Sequence, residues 1–499
     1  MIPKLRKCQH ELKISARSLL NDHQQIIAVA PTGFGKTIVI GDIVTLTLKN
    51  GYRILTLTHR IEIMGQIVKA FVKFGIEPGL IHADLPITKN QSQVAMVQSL
   101  SNKIELLKII KFDLVLIDEV HHTVCNSYLK LINAITTTNP KAKIIGFTAT
   151  PQRTDGQGMD TAGYTAMTIG PHTHQLVYGI EDWDGQKHKF LCEPVVYSSP
   201  MTAQIMQARW KWSNGDYDTK SADEIMGQRI IINDTIEMYN KFFHGSPCVI
   251  FGASIPDCHK VYAAMTAEGW RGGVVESGMD AELRKEYIEG LGNGQYNFIC
   301  SYEVLGEGVD IPVLAGIISR RRTASIIIWL QQTGRAVRLS PGKTHAPIID
   351  QTGNVLNPSL GHPLQERQWR LDGVKRNKKN SGDGELVVTQ CPSCSVWLAG
   401  KPSVCPYCGE TLKKKSTDNK KIITIDAPLE IIRPPIISED STYAADVIEY
   451  DEDQKEQAII DRVKSEHINK RERLESLASM VGKDRKWTEL VWRKYCGGN

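Results

Sequence analysis

The chain has little of what would place it in a membrane or in an oxidising compartment. No apolar run in its 499 residues approaches the roughly eighteen that a membrane span needs. Residues 1–8 are basic but lack the apolar core of a signal peptide. A cytoplasmic location without disulfides and without a membrane partner is therefore expected. A large excess of either charge is also lacking. The net charge is only +5, so a nucleic-acid surface, where one exists, is local rather than global. No internal repeat and no nuclease motif is recognisable. What remains is the composition of a globular protein, long enough for two to four domains.

The most informative segment is Ala30-Pro31-Thr32-Gly33-Phe34-Gly35-Lys36-Thr37. It lies between an apolar, strand-like run and an apolar, helix-like run. This is the context a phosphate-binding loop needs. Glycines let backbone N–H groups turn toward phosphate oxygens, and the following helix N-terminus adds a favourable dipole. Lys36 is suited to neutralise β- and γ-phosphates, and Thr37 to offer a hydroxyl to Mg²⁺. The strict pattern has Gly where Ala30 stands, so a Gly-rich turn before a helix is the alternative.

Residues 112–117 read as a buried strand of a parallel sheet, ending in Asp118-Glu119-Val120-His121-His122. Two acids at the C-terminal tip of such a strand sit where open α/β sheets bind ligands. One carboxylate, Asp118, suits Mg²⁺; the second, Glu119, suits orienting or deprotonating water. A solvated acidic turn is the bland alternative. A metal site on His121 and His122 is disfavoured, because adjacent side chains diverge on a regular element. Further on, Arg335 and Arg338 are three apart, which places them on one face of a helix. They are either arginine fingers for a γ-phosphate or a pair of surface arginines.

The eleven cysteines fall into two groups. Seven are scattered and suit small core positions. Cys391, Cys394, Cys405 and Cys408 form two Cys-x-x-Cys knuckles, the spacing of a structural Zn²⁺ ribbon.

Together these motifs resemble a superfamily 2 helicase, across roughly residues 3–355. Lys36 and Thr37 match motif I, and Asp118 with Glu119 motif II. Thr148-Ala149-Thr150-Pro151 matches motif III, residues 307–312 resemble motif V, and residues 331–338 resemble motif VI. The resemblance is strongest to RadD-like bacterial and phage DNA helicases and the XPB-type branch. It implies ATP and Mg²⁺ as cofactors, with Arg6, Gln9, Thr32, Gly33, Gly35, Lys36, Thr37, Gly308 and Asp310 around the nucleotide. Arg6 and Gln9 resemble the glutamine motif that reads adenine. Thr58, His59 and Arg60 fall at motif Ia, and Gln98 and Ser99 at motif Ib; with Ser301 and Tyr302 they are expected at the strand backbone. Val120 replaces the family's Ala or Cys, and Cys8 its aromatic residue.

The expected fold is α/β: two tandem RecA-like parallel-sheet domains, a small C-terminal zinc ribbon and a helical tail. Residues 1–152 are the first RecA-like domain and 153–243 a connecting segment. In that segment Trp210 and Trp212 beside Arg209 and Lys211 either stack on bases or bury one face of a helix. Residues 244–356 are the second RecA-like domain and 357–386 a basic linker, read as a solvated face or a phosphate contact. Residues 387–415 hold the ribbon, 416–454 an acidic linker and 455–499 the helical tail. The resemblance implies an ATP-dependent DNA helicase or translocase, 3′ to 5′, in repair, recombination or fork remodelling. Its expected partners are single-stranded, forked or branched DNA and a single-strand-binding or replication and repair protein, in a bacterial cell or phage-infected host. An RNA helicase of DEAH-like type and a non-catalytic nucleic-acid-binding protein on a helicase fold remain as rivals.

Overall fold

The computed structural model describes residues 2–82, 88–123, 125–152, 158–213, 215–306 and 314–372, with short pieces at 388–390, 397–399, 403–404, 411–412 and 431–432. Within it lie two seven-stranded sheets.

The first lobe contains β1 (Gln25–Val29), β2 (Ile54–Thr58), β3 (Gly79–Ile81), β4 (Ser92–Met96), β5 (Leu114–Asp118), β6 (Lys143–Thr148) and β7 (Ala166–Ile169). Their order across the sheet is β3-β4-β2-β5-β6-β1-β7, with every pairing parallel. Most of the strands are buried along nearly their whole length because helices cover both faces. On this lobe lie α1 (Lys7–Asp22), α2 (Lys36–Lys49), α3 (Ile61–Lys73), α4 (Val97–Asn102), α5 (Asn126–Thr138) and α6 (Thr173–Tyr178). Gly146 on β6 shows why Val120 is tolerated in motif II. A Cβ there would lie 2.2 Å from Val120 Cγ2, so the glycine makes room for the larger residue.

A short antiparallel pair, β8 (Ile180–Glu181) and β9 (Lys187–His188), precedes β10 (Glu193–Ser198). The hairpin β11 (Trp212–Ser213) and β12 (Asp216–Tyr217) follows. The second sheet adds β13 (Cys248–Phe251), β14 (Gly272–Val275), β15 (Phe298–Ser301), β16 (Gly316–Ser319) and β17 (His345–Asp350). Strands β18 (Val388–Gln390) and β19 (Trp397–Ala399) pair with each other, and β20 (Ile431–Ile432) joins the edge of the second sheet. That sheet runs β14-β15-β13-β16-β17-β10-β20. Its helices are α7 (Thr202–Gln207), α8 (Thr219–Met226), α9 (Arg229–Phe242), α10 (Ile255–Ala267), α11 (Ala281–Gly292) and α12 (Ile326–Ala336). Both sheets have the RecA-like parallel α/β architecture expected. The span 153–243 contributes a strand to each of them, β7 to the first and β10 to the second.

Two expectations need correction. Arg335 and Arg338 do not share a helical face: α12 ends at Ala336, and Arg338 forms an isolated antiparallel bridge with Leu191. The helix stops there because Val337 leaves helical geometry and its carbonyl accepts from Cys192 N–H at 2.7 Å. Residues 357–372 are not a solvated linker. Trp329 Nε1 donates to Gly361 O at 2.9 Å, Leu364 is buried, and Trp369 and Leu371 pack on the first lobe. Arg367 donates to the carbonyls of Leu360, His362 and Gln365, and burial lowers its pKa to about 10. Lys375, Arg376, Lys378 and Lys379 lie outside the described residues, as do the four knuckle cysteines, the acidic linker other than β20, and the C-terminal tail.

Candidate nucleotide site between the lobes

The phosphate loop bridges β1 and α2. Gly33 and Gly35 adopt φ +86° and +90°, a left-handed region in which only glycine is unstrained. Neither has room for a side chain. A Cβ at Gly33 would lie 2.4 Å from Leu191 Cδ2, and one at Gly35 would lie 2.7 Å from Gln9 Nε2. The loop is thus wedged between α1 and residue 191. Lys36 and Thr37 open α2, half-buried, where the helix dipole favours an anion. Lys36 Nζ lies 3.4 Å from Ala30 O.

Gln9 is buried in α1, and its amide is engaged on both sides. Its Oε1 accepts from Arg6 N–H at 2.9 Å, and its Nε2 donates to Phe34 O at 2.8 Å. Each atom keeps one hydrogen-bonding position in reserve. Arg6 itself lies with its guanidinium carbon 4.0 Å from the centroid of the Phe190 ring. The aromatic partner of this motif therefore comes from residue 190 rather than from position 8, where Cys8 is buried.

Asp118 ends β5 beside the loop. Burial and, less strongly, the neighbouring Glu119 raise its carboxyl to about 6 against the opposing effects of Lys36 and the Glu119 N–H. Glu119 is left-handed, at φ 53° and ψ 56°. For a non-glycine residue that conformation costs on the order of 1–3 kcal/mol and concentrates at functional sites. Its buried Oε2 has no hydrogen-bond partner, and His121 Nδ1 stands 3.4 Å away. His121 Nδ1 also shares a 3.0 Å hydrogen bond with Thr148 Oγ1, tying motif II to motif III. The His59 and His122 rings meet at 4.1 Å, tilted by 49°, joining the end of β2 to the same cluster.

The donor set fits a magnesium nucleotide. A carboxylate, a hydroxyl and an ammonium stand about a glycine cradle that a Cβ would fill, and a buried carboxylate oxygen of Glu119 accepts no hydrogen bond. The second lobe closes on this cradle. A Cβ at Gly334 of α12 would lie 2.7 Å from Thr32 Cβ, so the motif VI helix backbone rests on the loop. Pro31, Thr32, Ala149, Thr333, Gly334 and Val337 line one cavity between the lobes. Arg335 sits in the last turn of α12, and burial lowers the pKa of Arg338. Gly308 and Asp310 lie outside the described residues.

The expected strand contacts scatter. Gln98 is exposed and Ser99 half-buried at the start of α4. Thr58 and Ser301 are fully buried, and the Ser301 hydroxyl accepts from Leu305 N–H at 3.4 Å; both shape loops rather than present a surface. Arg60 donates to Val304 O at 3.2 Å, across the lobes. Tyr302 lies under the Arg321 guanidinium at 4.3 Å. Sequence reading missed Phe190 and Leu191, which touch the glutamine motif, the phosphate loop and motif VI together. Their only sequence signal is an apolar pair in a polar stretch.

Residues 2–153 match the family described as the res subunit of type III restriction enzymes, and residues 232–340 match the helicase conserved C-terminal domain. The chain is 29% identical over 406 residues to a 51.5 kDa protein of Lactococcus phage (isolate 7-9), covering 81% of each. It is 25% identical over 370 residues to a Saccharomyces cerevisiae protein provisionally named the ATP-dependent helicase IRC3, covering 70% of this chain and 52% of that one. A solved fragment, provisionally an HsdR subunit of a type I restriction enzyme from Vibrio vulnificus YJ016, aligns at TM-score 0.52 and 21% identity, over 71% of this chain and 66% of that one. At that identity the likeness is one of fold. With both helicase domains matched in chain order, the matches support a helicase of the superfamily 2 type.

Proposed function

We propose that the protein is an ATP-driven DNA motor of the RadD-like and XPB-type branch, acting 3′ to 5′ in repair, recombination or fork remodelling. The observation that carries the motor reading is the seating of α12 on the phosphate loop, through Gly334 against Thr32. It supports a reading in which groups from both lobes act on one phosphate chain. Bound Mg²⁺ would neutralise charge on the β- and γ-phosphates, held by the Thr37 hydroxyl and the Asp118 carboxylate. Lys36 neutralises the same phosphates. Glu119 orients the attacking water and takes its proton at Oε2, the oxygen that accepts no hydrogen bond. Arg335 and Arg338 stabilise the transition state as the lobes close. Closure and reopening would then shift one lobe against the other along the strand. DNA is favoured over RNA by the restriction-enzyme family matched in the first lobe.

The test is ATPase stimulation and strand separation on single-stranded, duplex and forked DNA and on RNA. Stimulation by DNA is expected. Stimulation by RNA alone would replace DNA as substrate, and no nucleic-acid response would overturn the motor reading.

We also propose one structural Zn²⁺ on Cys391, Cys394, Cys405 and Cys408. In sequence, the first knuckle falls between the paired strands β18 and β19, and the second between the bridged residues Val404 and Thr411. Metal analysis of the wild type and of Cys405→Ser tests it; protein purified without zinc would refute it.

A further inference from the structure

The hairpin β11–β12 is fixed to the second lobe from below and open above. Trp212 and Tyr217 are cross-strand partners, with ring centroids 5.3 Å apart. Arg322 lies between Trp210 and Tyr217, 5.1 and 4.9 Å from their centroids. Asp216 accepts from Thr323 Oγ1 at 2.9 Å and from Ala324 N–H at 2.7 Å. Trp210 Nε1 donates to Ile205 O at 2.8 Å. Trp210 is therefore a packing residue. Trp212 is 51% exposed, and Arg209 and Lys211 beside it are exposed as well. A large flat ring held on a hairpin strand among cations can stack on a base while the cations meet the adjoining phosphates.

The hairpin's position names that partner. Its dock, residues 320–325, follows the C-terminal end of β16, and Tyr302 follows that of β15. Ligands of parallel sheets bind at those ends. Arg321 links the two, with its guanidinium over Tyr302 at 4.3 Å and Nη2 3.9 Å from Asp216 Oδ2. The same dock leads directly into α12, which rests on the phosphate loop.

We propose that Trp212 stacks on an unpaired base of a single strand crossing the C-terminal ends of the second sheet, with Arg209 and Lys211 facing its phosphates. This rests on the nucleic-acid reading above and adds a specific contact to it. Every base offers a π-face, so the contact tolerates any sequence and serves deoxyribose and ribose strands alike.

The experiment measures anisotropy of labelled oligothymidylate, oligouridylate and a wholly abasic oligonucleotide with the full chain, in the absence of nucleotide. Trp212→Ala should weaken binding to a base-bearing strand about 5- to 150-fold. Trp212→Phe should restore most of the loss, because the ring is kept. On the abasic strand, wild type and Trp212→Ala should bind alike. Melting temperatures of both variants check that the hairpin stays docked. Unchanged affinity in Trp212→Ala, or an equal loss on the abasic strand, overturns the stacking role while the motor reading stands. A wild type that binds neither base-bearing strand overturns both.

Discussion

Asp118 ends β5 in the first lobe and Asp350 ends β17 in the second, and burial raises both carboxyls to about 6. Their surroundings differ. Asp350 accepts from Val355 N–H at 2.8 Å and from the Thr352 N–H and hydroxyl at 3.3 Å, closing a turn on itself. Asp257 in the same lobe meets Arg320 in a fully buried bidentate pair, at 3.0 and 2.6 Å. Asp118 faces Lys36 and Glu119, and the Glu119 Oε2 has no hydrogen-bond partner. The second lobe uses its buried charge to hold its own loops, including the one that carries α12. The first lobe leaves its charge available to a ligand. Substitutions at these buried carboxylates and their charge partners should therefore cost mainly activity in the first lobe and mainly stability in the second.

The largest effect expected is on turnover. Arg335→Ala or Arg338→Ala should slow hydrolysis by roughly 10³–10⁵ with little change in nucleotide affinity. Lys36→Ala should abolish turnover while keeping the wild-type melting temperature. Single-turnover hydrolysis and fluorescent-nucleotide binding separate these outcomes, and a loss confined to affinity would remove the arginines from the finger role.

Glu119→Gln comes next. It keeps shape and most hydrogen bonding, so ATP should bind while hydrolysis slows by about 10²–10⁴. Failure to bind ATP would show that Glu119 holds the nucleotide rather than the water.

Arg320→Ala should destabilise by about 3–5 kcal/mol, because Asp257 is left buried without its partner. Urea unfolding measures this. If Lys36→Ala lost as much stability as Arg320→Ala, the contrast between the lobes would fail.

The smallest effect is a pH dependence. Asp350 has a folded-state value of about 6 against an ordinary 3.8, so the folded protein binds its proton more tightly. Relative to Asp350→Asn, the wild type should lose stability as pH rises from about 4 through 6, by up to about 3 kcal/mol. Parallel melting curves of the two proteins across that window would leave Asp350 without its assigned environment.

The nucleotide-site motifs were legible because their chemistry is local. A loop with glycine at two left-handed positions, set between an apolar strand and a helix, has few other uses. The acids at a strand tip could be read in the same way. Other features depended on segments far apart in sequence. Arg338 leaves the helix because its neighbour Val337 bonds to Cys192, and Phe190 supplies an aromatic ring to Arg6. Thr58 and Ser301 carry the right chemistry for phosphate contact but are buried by packing that no local pattern encodes. The choice between base stacking and burial for the tryptophan pair was left even by sequence. Packing divides it, with Trp210 covered by Arg322 and Trp212 exposed.

By itself, then, the sequence determined which residues carry charge, which turns require glycine and where strands alternate with helices, since these follow from neighbours within a few positions. Only the tertiary structure decided which of those charges face a ligand and which hold a loop. A buried carboxylate acquires its role from whatever stands opposite it: an arginine just after β16 for Asp257, and the phosphate-loop lysine for Asp118.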